Sequence, residues 1–94
     1  MIIRIVKMGF VPEEIDNFLE IFEENKNKIR NFDGCHHVEL IRDVEQSNQF
    51  FTYSHWESKE HLNNYRNSTL FKGVWANTKN KFNQKPEAWS TKKV

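Results

Sequence analysis

Four histidines, one threonine and a group of large rings are the residues of this chain with chemistry to offer. His36, His37, His55 and His61 carry imidazoles, groups suited to proton transfer and to metal ligation. They can accept protons singly or, if they converge, hold a metal. Convergence is usually signalled by spacings such as His-x-His or His-x3-His; neither occurs, so no metal site is expected. His36 and His37 are neighbours, and on a strand neighbours face opposite sides of the sheet. Parity alone leaves open which of them faces inward; we take His37 as the inward base. His55 has the opposite parity to Thr52 and Trp56, which places it on the other face or at the rim, and His61 reads as an exposed helix residue. Thr52 and Trp56, four apart, share one strand face. Tyr65, Phe71 and Trp75 follow at helical spacing. With Trp56 they form either plain core or the walls of a slot for a flat aromatic ligand. Tyr and Trp rings carry polar handles that seek partners when buried.

Other chemistries lack their residues. Cys35 is the single cysteine, so neither an internal disulfide nor a thiolate cage can form; it reads as a small buried hydrophobe in a reducing compartment. Glu39 and Glu57 are isolated carboxylates. There is no Gly-rich phosphate loop, no dinucleotide fingerprint and no Ser-His-Asp order. Lys and Arg number 14 against 13 Asp and Glu, a net charge of +1, without the basic excess of a nucleic-acid binder. Lys79, Lys81, Lys85, Lys92 and Lys93 read as a solvated face. The start, Met1 to Lys7, is interrupted by charges and too short for a signal segment or a membrane span. The expectation is a soluble, cytoplasmic protein with no nucleic-acid or membrane partner.

The elements that must position these residues are punctuated by scarce Gly and Pro. The 94 residues fit one domain, 1–94, and eight Phe, three Trp and two Tyr compensate for its small size. Ile2 to Met8 reads as a strand, and Gly9 to Val11 turns it. Pro12 stands where a first helical residue should, ahead of a stripe at Ile15, Phe18, Leu19, Phe22 and Ile29. Gly34 is available as the stop. Cys35 to Asp43 and Asn48 to Trp56 read as an antiparallel hairpin across Val44–Ser47. Ser58 caps a short helix carrying Leu62 and Tyr65. Ser68 caps a longer one with Leu70, Phe71, Val74, Trp75, Thr78 and Phe82 on one stripe. Pro86 ends that pattern, and Glu87 to Val94 reads as a last strand centred on Trp89.

The order matches an α+β, ferredoxin-like split β-α-β fold: a four-stranded antiparallel sheet with two to three helices on one face. The third strand is aromatic on both sides, since Phe50 and Phe51 are adjacent. The face bearing Phe51 and Tyr53 therefore needs a cover, and a second copy of the sheet supplies one. A homodimer is expected.

Gly34-Cys35 through Arg42-Asp43, then Trp56-Glu57-Ser58, then Ser68-x-Leu70-Phe71, resemble the antibiotic biosynthesis monooxygenase superfamily from the first strand to about Phe82. The resemblance implies a dimeric α+β barrel with a pocket between helices and sheet. It also implies, for the cofactor-free members, oxygenation of a quinol or polyketide without cofactor. Asp33 replaces the Pro that many relatives have before the Gly. Trp56 matches the pocket tryptophan. The Asn four residues before it is here Thr52, which offers a hydroxyl, and the Tyr six residues after it is Leu62. In haem-degrading relatives a histidine on the last helix ligates the iron; the matching residue is Trp75, which has no lone pair to give. Their first-strand Asn falls at or near Lys7. The resemblance thus implies a cofactor-independent monooxygenase on a small aromatic, with Thr52 and His37 in catalytic roles and Trp56, Leu62, Tyr65, Phe71 and Trp75 around the substrate. The alternative it leaves is a non-catalytic small-molecule-binding or stress-response module of the same fold.

Overall fold

The structure is a computed structural model that describes all residues, Met1–Val94. Strand β1, Ile2–Gly9, is followed by a 3-10 turn at Pro12–Glu14 and helix α1, Ile15–Arg30. Pro12 thus opens a tighter turn ahead of the α-helix, its fixed φ suiting that position. After α1, Gly34 turns the chain at φ +86°, in the left-handed region open to glycine. A Cβ there would strike the ring of His61. Strands β2, Cys35–Arg42, and β3, Gln49–Trp56, form the expected hairpin. Its turn is held by Asp43, whose carboxylate accepts the backbone N–H groups of Glu45 and Gln46. Ser58 and Ser68 cap helices α2, Lys59–Arg66, and α3, Thr69–Lys79, each accepting the N–H three residues on. Pro86 precedes the edge strand β4, Glu87–Thr91.

The strands lie in the order β2-β3-β1-β4, and every pairing is antiparallel. With the three helices this is an α+β, ferredoxin-like fold. Register sorts the side chains. Val6 stands opposite Thr52, Arg4 opposite Ser54 and Ile2 opposite Trp56, on the face the helices cover. The alternate residues, Ile3, Ile5, Phe51, Tyr53 and Trp89, occupy the other face. No helix is long and apolar enough to cross a membrane.

One irregularity in β2 decides where the histidines go. Cys35 pairs with Trp56 and His37 with His55, so His36 is an extra residue inserted as a bulge. Cys35 keeps its place beneath the helices, and the parity beyond it is reversed. His37 therefore lies on the outer face beside Tyr53 and His55, with ring centroids 6.2 and 5.4 Å away. The expectation that His37 faces the helices is corrected. His36 does not take its place, because it is exposed and bonded to Glu57.

The core has two centres. Ile29, Cys35, Trp56 and Leu62 pack at one end; Met8, Phe10, Phe18 and Phe50 pack at the other. Phe10 lies in the segment expected only to turn the chain, yet it is fully buried and stacks on Phe18 at 4.1 Å. Phe82, expected on the last helix, lies beyond the end of α3 and forms an antiparallel bridge with Phe10. The two aromatics tie the chain after β1 to the chain after α3.

Candidate functional site

Between the helices and the sheet lies a cavity of about 330 Å³. Its sheet side is formed by Val6 and Met8 of β1 and Thr52, Ser54 and Trp56 of β3. Strand parity brings these together, as alternate residues of neighbouring antiparallel strands. The helices supply Leu62 and Tyr65 from α2 and Phe71 and Trp75 from α3. Of the site residues read from sequence, Thr52, Trp56, Leu62, Tyr65, Phe71 and Trp75 meet at this one cavity; His37 does not.

The rings form a connected series. Trp56 stacks on Tyr65 at 4.7 Å and 24°, Tyr65 meets Phe71 edge-on at 5.2 Å, and Phe71 lies nearly parallel to Trp75 at 5.9 Å. Trp56 is only 1% exposed, and its indole N–H donates to Ser54 Oγ at 3.0 Å. It is both core and cavity floor, so the two readings of the aromatic stripe are not exclusive. Its polar handle is already satisfied inside the protein. The hydroxyls of Thr52 and Tyr65 and the indole N–H of Trp75 have no partner in the chain. Burial, and secondarily Cys35, push the Tyr65 phenol well above its usual value of about 10. It stays protonated at neutral pH and is a donor rather than a base.

Two charged residues reach the same cavity, Arg4 from β1 and Arg66 from the end of α2. Arg4 Nη1 donates to Ser90 Oγ on β4 at 2.9 Å. Desolvation, then the neighbouring Arg66, lower the Arg4 guanidinium from its usual value. Sequence reading missed both arginines. The signal was present: Arg4 has the parity of Val6 and Met8, and Arg66 follows Leu62 by one helical turn. No histidine, cysteine, aspartate or glutamate lines the cavity. It therefore contains neither an ordinary side-chain base nor the imidazole that holds iron in haem-degrading members, and Trp75, in that ligand's place, has no lone pair to give. Lys7, at or near the first-strand position of the haem degraders' Asn, lies on the outer face and pairs with Glu87 at 3.5 Å.

Cys35, His61 and His55 lie outside the cavity. Cys35 is buried beside Trp56, and burial raises its thiol, which keeps it an unreactive packing residue. His61 is half-buried rather than exposed, its Nδ1 2.7 Å from Ser58 Oγ. On the outer face His55 Nε2 is buried without a partner.

Comparison with known proteins gives a consistent picture. Residues 1–76 match the sequence family described as antibiotic biosynthesis monooxygenase. A crystal structure of an antibiotic biosynthesis monooxygenase superposes with a TM-score of 0.94 at 20% identity, covering 100% of this chain and 99% of that one. A conserved protein from Methanosarcina mazei Go1 gives 0.93 at 18%, covering 100% and 94%, and Rv0793 from Mycobacterium tuberculosis gives 0.91 at 13%, covering 99% and 94%. At these identities the likeness is one of fold. No curated protein matches the chain.

Proposed function

Because the chain belongs to the antibiotic biosynthesis monooxygenase family, we propose that it is a cofactor-independent monooxygenase acting on a small, electron-rich aromatic or quinol-like substrate in this cavity. The observation that carries the reading is the series of rings from Trp56 to Trp75 around a space with unpartnered hydroxyls at its edge. A flat substrate stacks on those faces, and Thr52 and Tyr65 bond its oxygen. The substrate, as its phenolate, passes an electron to O2. One oxygen atom then replaces hydrogen on the ring carbon, and the other leaves as water with that hydrogen and one proton taken back from solvent. The protein's share is to exclude water and to orient. It also favours the anion, because guanidinium groups near a phenol lower its pKa. The proton goes to solvent at the mouth.

The outer face belongs to the same proposal. Ile3, Ile5, Ile41, Phe51, Tyr53 and Trp89 give it an apolar band beside Lys7, Glu87, His37, Glu39 and His55, and Trp89 and Ile41 are 45% and 47% exposed in the single chain. A second copy of the sheet covers it, giving a homodimer that closes the barrel.

A second reading is favoured by the absence of any side-chain base around the cavity: a module that binds a small aromatic without turning it over. Oxygen uptake with hydroxylated naphthalenes and quinols separates the two. Consumption of one O2 per substrate supports the oxygenase. Saturable quenching of tryptophan fluorescence with no oxygen consumed supports the module, and neither response removes both.

A further inference from the structure

The two arginines at the cavity are difficult to explain as part of a self-sufficient fold. Arg4 is half-buried, anchored by Ser90, and faces an apolar space. Arg66 borders the same space, near enough for its charge to be felt at Arg4. The chain has 13 carboxylates, yet none lies within 4 Å of either guanidinium; its ion pairs are made elsewhere. A second cation beside the half-buried Arg4 opposes folding, since Arg4 has given up part of its water and the two charges repel. Such an arrangement is stable in use when an anion enters and neutralises it. Guanidinium is the group whose planar fork suits a carboxylate.

The position of the charges narrows the ligand. Arg4 stands opposite Ser54 and Val6 opposite Thr52, so Arg4 and Thr52 are diagonal neighbours across β1 and β3, with backbones about 7–8 Å apart, and the Arg4 head turns to Ser90 on the far side of β1. One aromatic ring spans that distance. Beyond it the cavity is walled by Phe71 and Trp75 and carries no charge. The volume of about 330 Å³ lies near the lower end of small-molecule sites, roughly 300–1,000 Å³, and suits one or two fused rings. We propose that the cavity selects an aromatic carboxylate, with Arg4 and Arg66 holding the carboxylate and the ring lying against Tyr65, Phe71 and Trp75. The proposal rests on the cavity being a ligand site and adds the anionic group that site requires.

The test compares two probes that differ by one group, 4-hydroxy-1-naphthoate and 1-naphthol, titrated calorimetrically into the intact protein. The wild type should bind the carboxylate about 10–100-fold more tightly, the worth of charge-assisted hydrogen bonds of roughly 1.5–3 kcal/mol. Arg4→Met keeps the apolar stem and removes the charge, and should weaken the naphthoate far more than naphthol, bringing the two affinities together. Arg66→Met changes an exposed residue that cannot decide folding, and should reduce the preference in part. Equal binding of both probes by the wild type would overturn the anchor while leaving the aromatic site intact. So would a preference that survives both substitutions. Binding of neither probe would overturn the ligand site and the anchor together.

Discussion

Trp56 is the residue on which fold and site depend together, and its removal should be felt first as lost stability. The ring is 1% exposed, packs with Ile29, Cys35 and Leu62, stacks on Tyr65 and donates to Ser54 Oγ. A buried Trp hides about 150–250 Å², which at about 25 cal/mol per Å² is roughly 4–6 kcal/mol. The alanine methyl recovers part of this, and water entering from the adjoining cavity relieves some of the void. Trp56→Ala should therefore cost about 3–5 kcal/mol, within the range for Trp→Ala in cores. For a chain of this length that lowers the melting midpoint by roughly 15–30 °C. Trp56→Phe keeps a ring against Tyr65 but removes the N–H, leaving Ser54 Oγ without its donor, and should cost only about 1–2 kcal/mol. Urea unfolding by far-ultraviolet circular dichroism, at one fixed protein concentration, measures both without relying on tryptophan emission. A Trp56→Ala cost below about 1 kcal/mol, or a Phe variant as unstable as the Ala variant, would show that the ring does not bridge sheet and helices as described.

Thr52→Val retains the shape of an unpartnered hydroxyl residue, so it should leave the urea midpoint nearly unchanged and weaken a phenolic ligand by about 1 kcal/mol or more; equal affinity would remove Thr52 from the site. Light scattering on a sizing column should give about twice the 11.4 kDa chain mass, with a buried area upwards of roughly 2,000 Å²; a mass near one chain would refute the dimer. His55 is held below its usual value of 6.5 by burial, then by His37 and Lys93, with His36 acting the same way and Glu39 opposing. The unfolded chain binds this proton more readily, so the contribution is full above about pH 6.5 and is lost as pH falls through the lowered folded value. The urea midpoint should drop between pH 7.5 and 5.5 in the wild type and drop less in His55→Phe; parallel slopes would count against it.

Much of the architecture was legible because its signals are local. Ser58 and Ser68 each have a backbone N–H three residues on to accept, and the hydroxyl alone announces the cap. Parity separated Thr52 and Trp56 from Phe51, Tyr53 and His55 because β3 is regular throughout its length. Parity failed at His37 because a bulge is one extra residue, and nothing in Cys35-His36-His37 distinguishes it from a regular strand. Phe10 was missed for a different reason. Its burial depends on Phe82, more than seventy residues away, and a long-range bridge leaves no periodicity in either neighbourhood. Arg4 and Arg66 were overlooked because a charge on an apolar strand or helix ordinarily marks the wet face.

The bulge at His36 also determines what chemistry the cavity can perform. Had β2 run regularly from Cys35, His37 would face the helices, and an imidazole would be present to take the substrate proton. With His37 on the outer face the cavity holds two guanidinium groups and no base. Such a field does not remove a proton; it favours the form that has already lost one. On the proposed reaction, the acid limb of the rate profile should therefore follow the substrate's own pKa, depressed by Arg4 and Arg66, rather than that of any protein group. A series of naphthols carrying electron-withdrawing substituents should shift the limb to lower pH in step with their acidity, and Arg4→Met should shift the whole series upward. A limb fixed at one pH across the series would mean that a protein group takes the proton after all, and the assignment of the two arginines would fail with it.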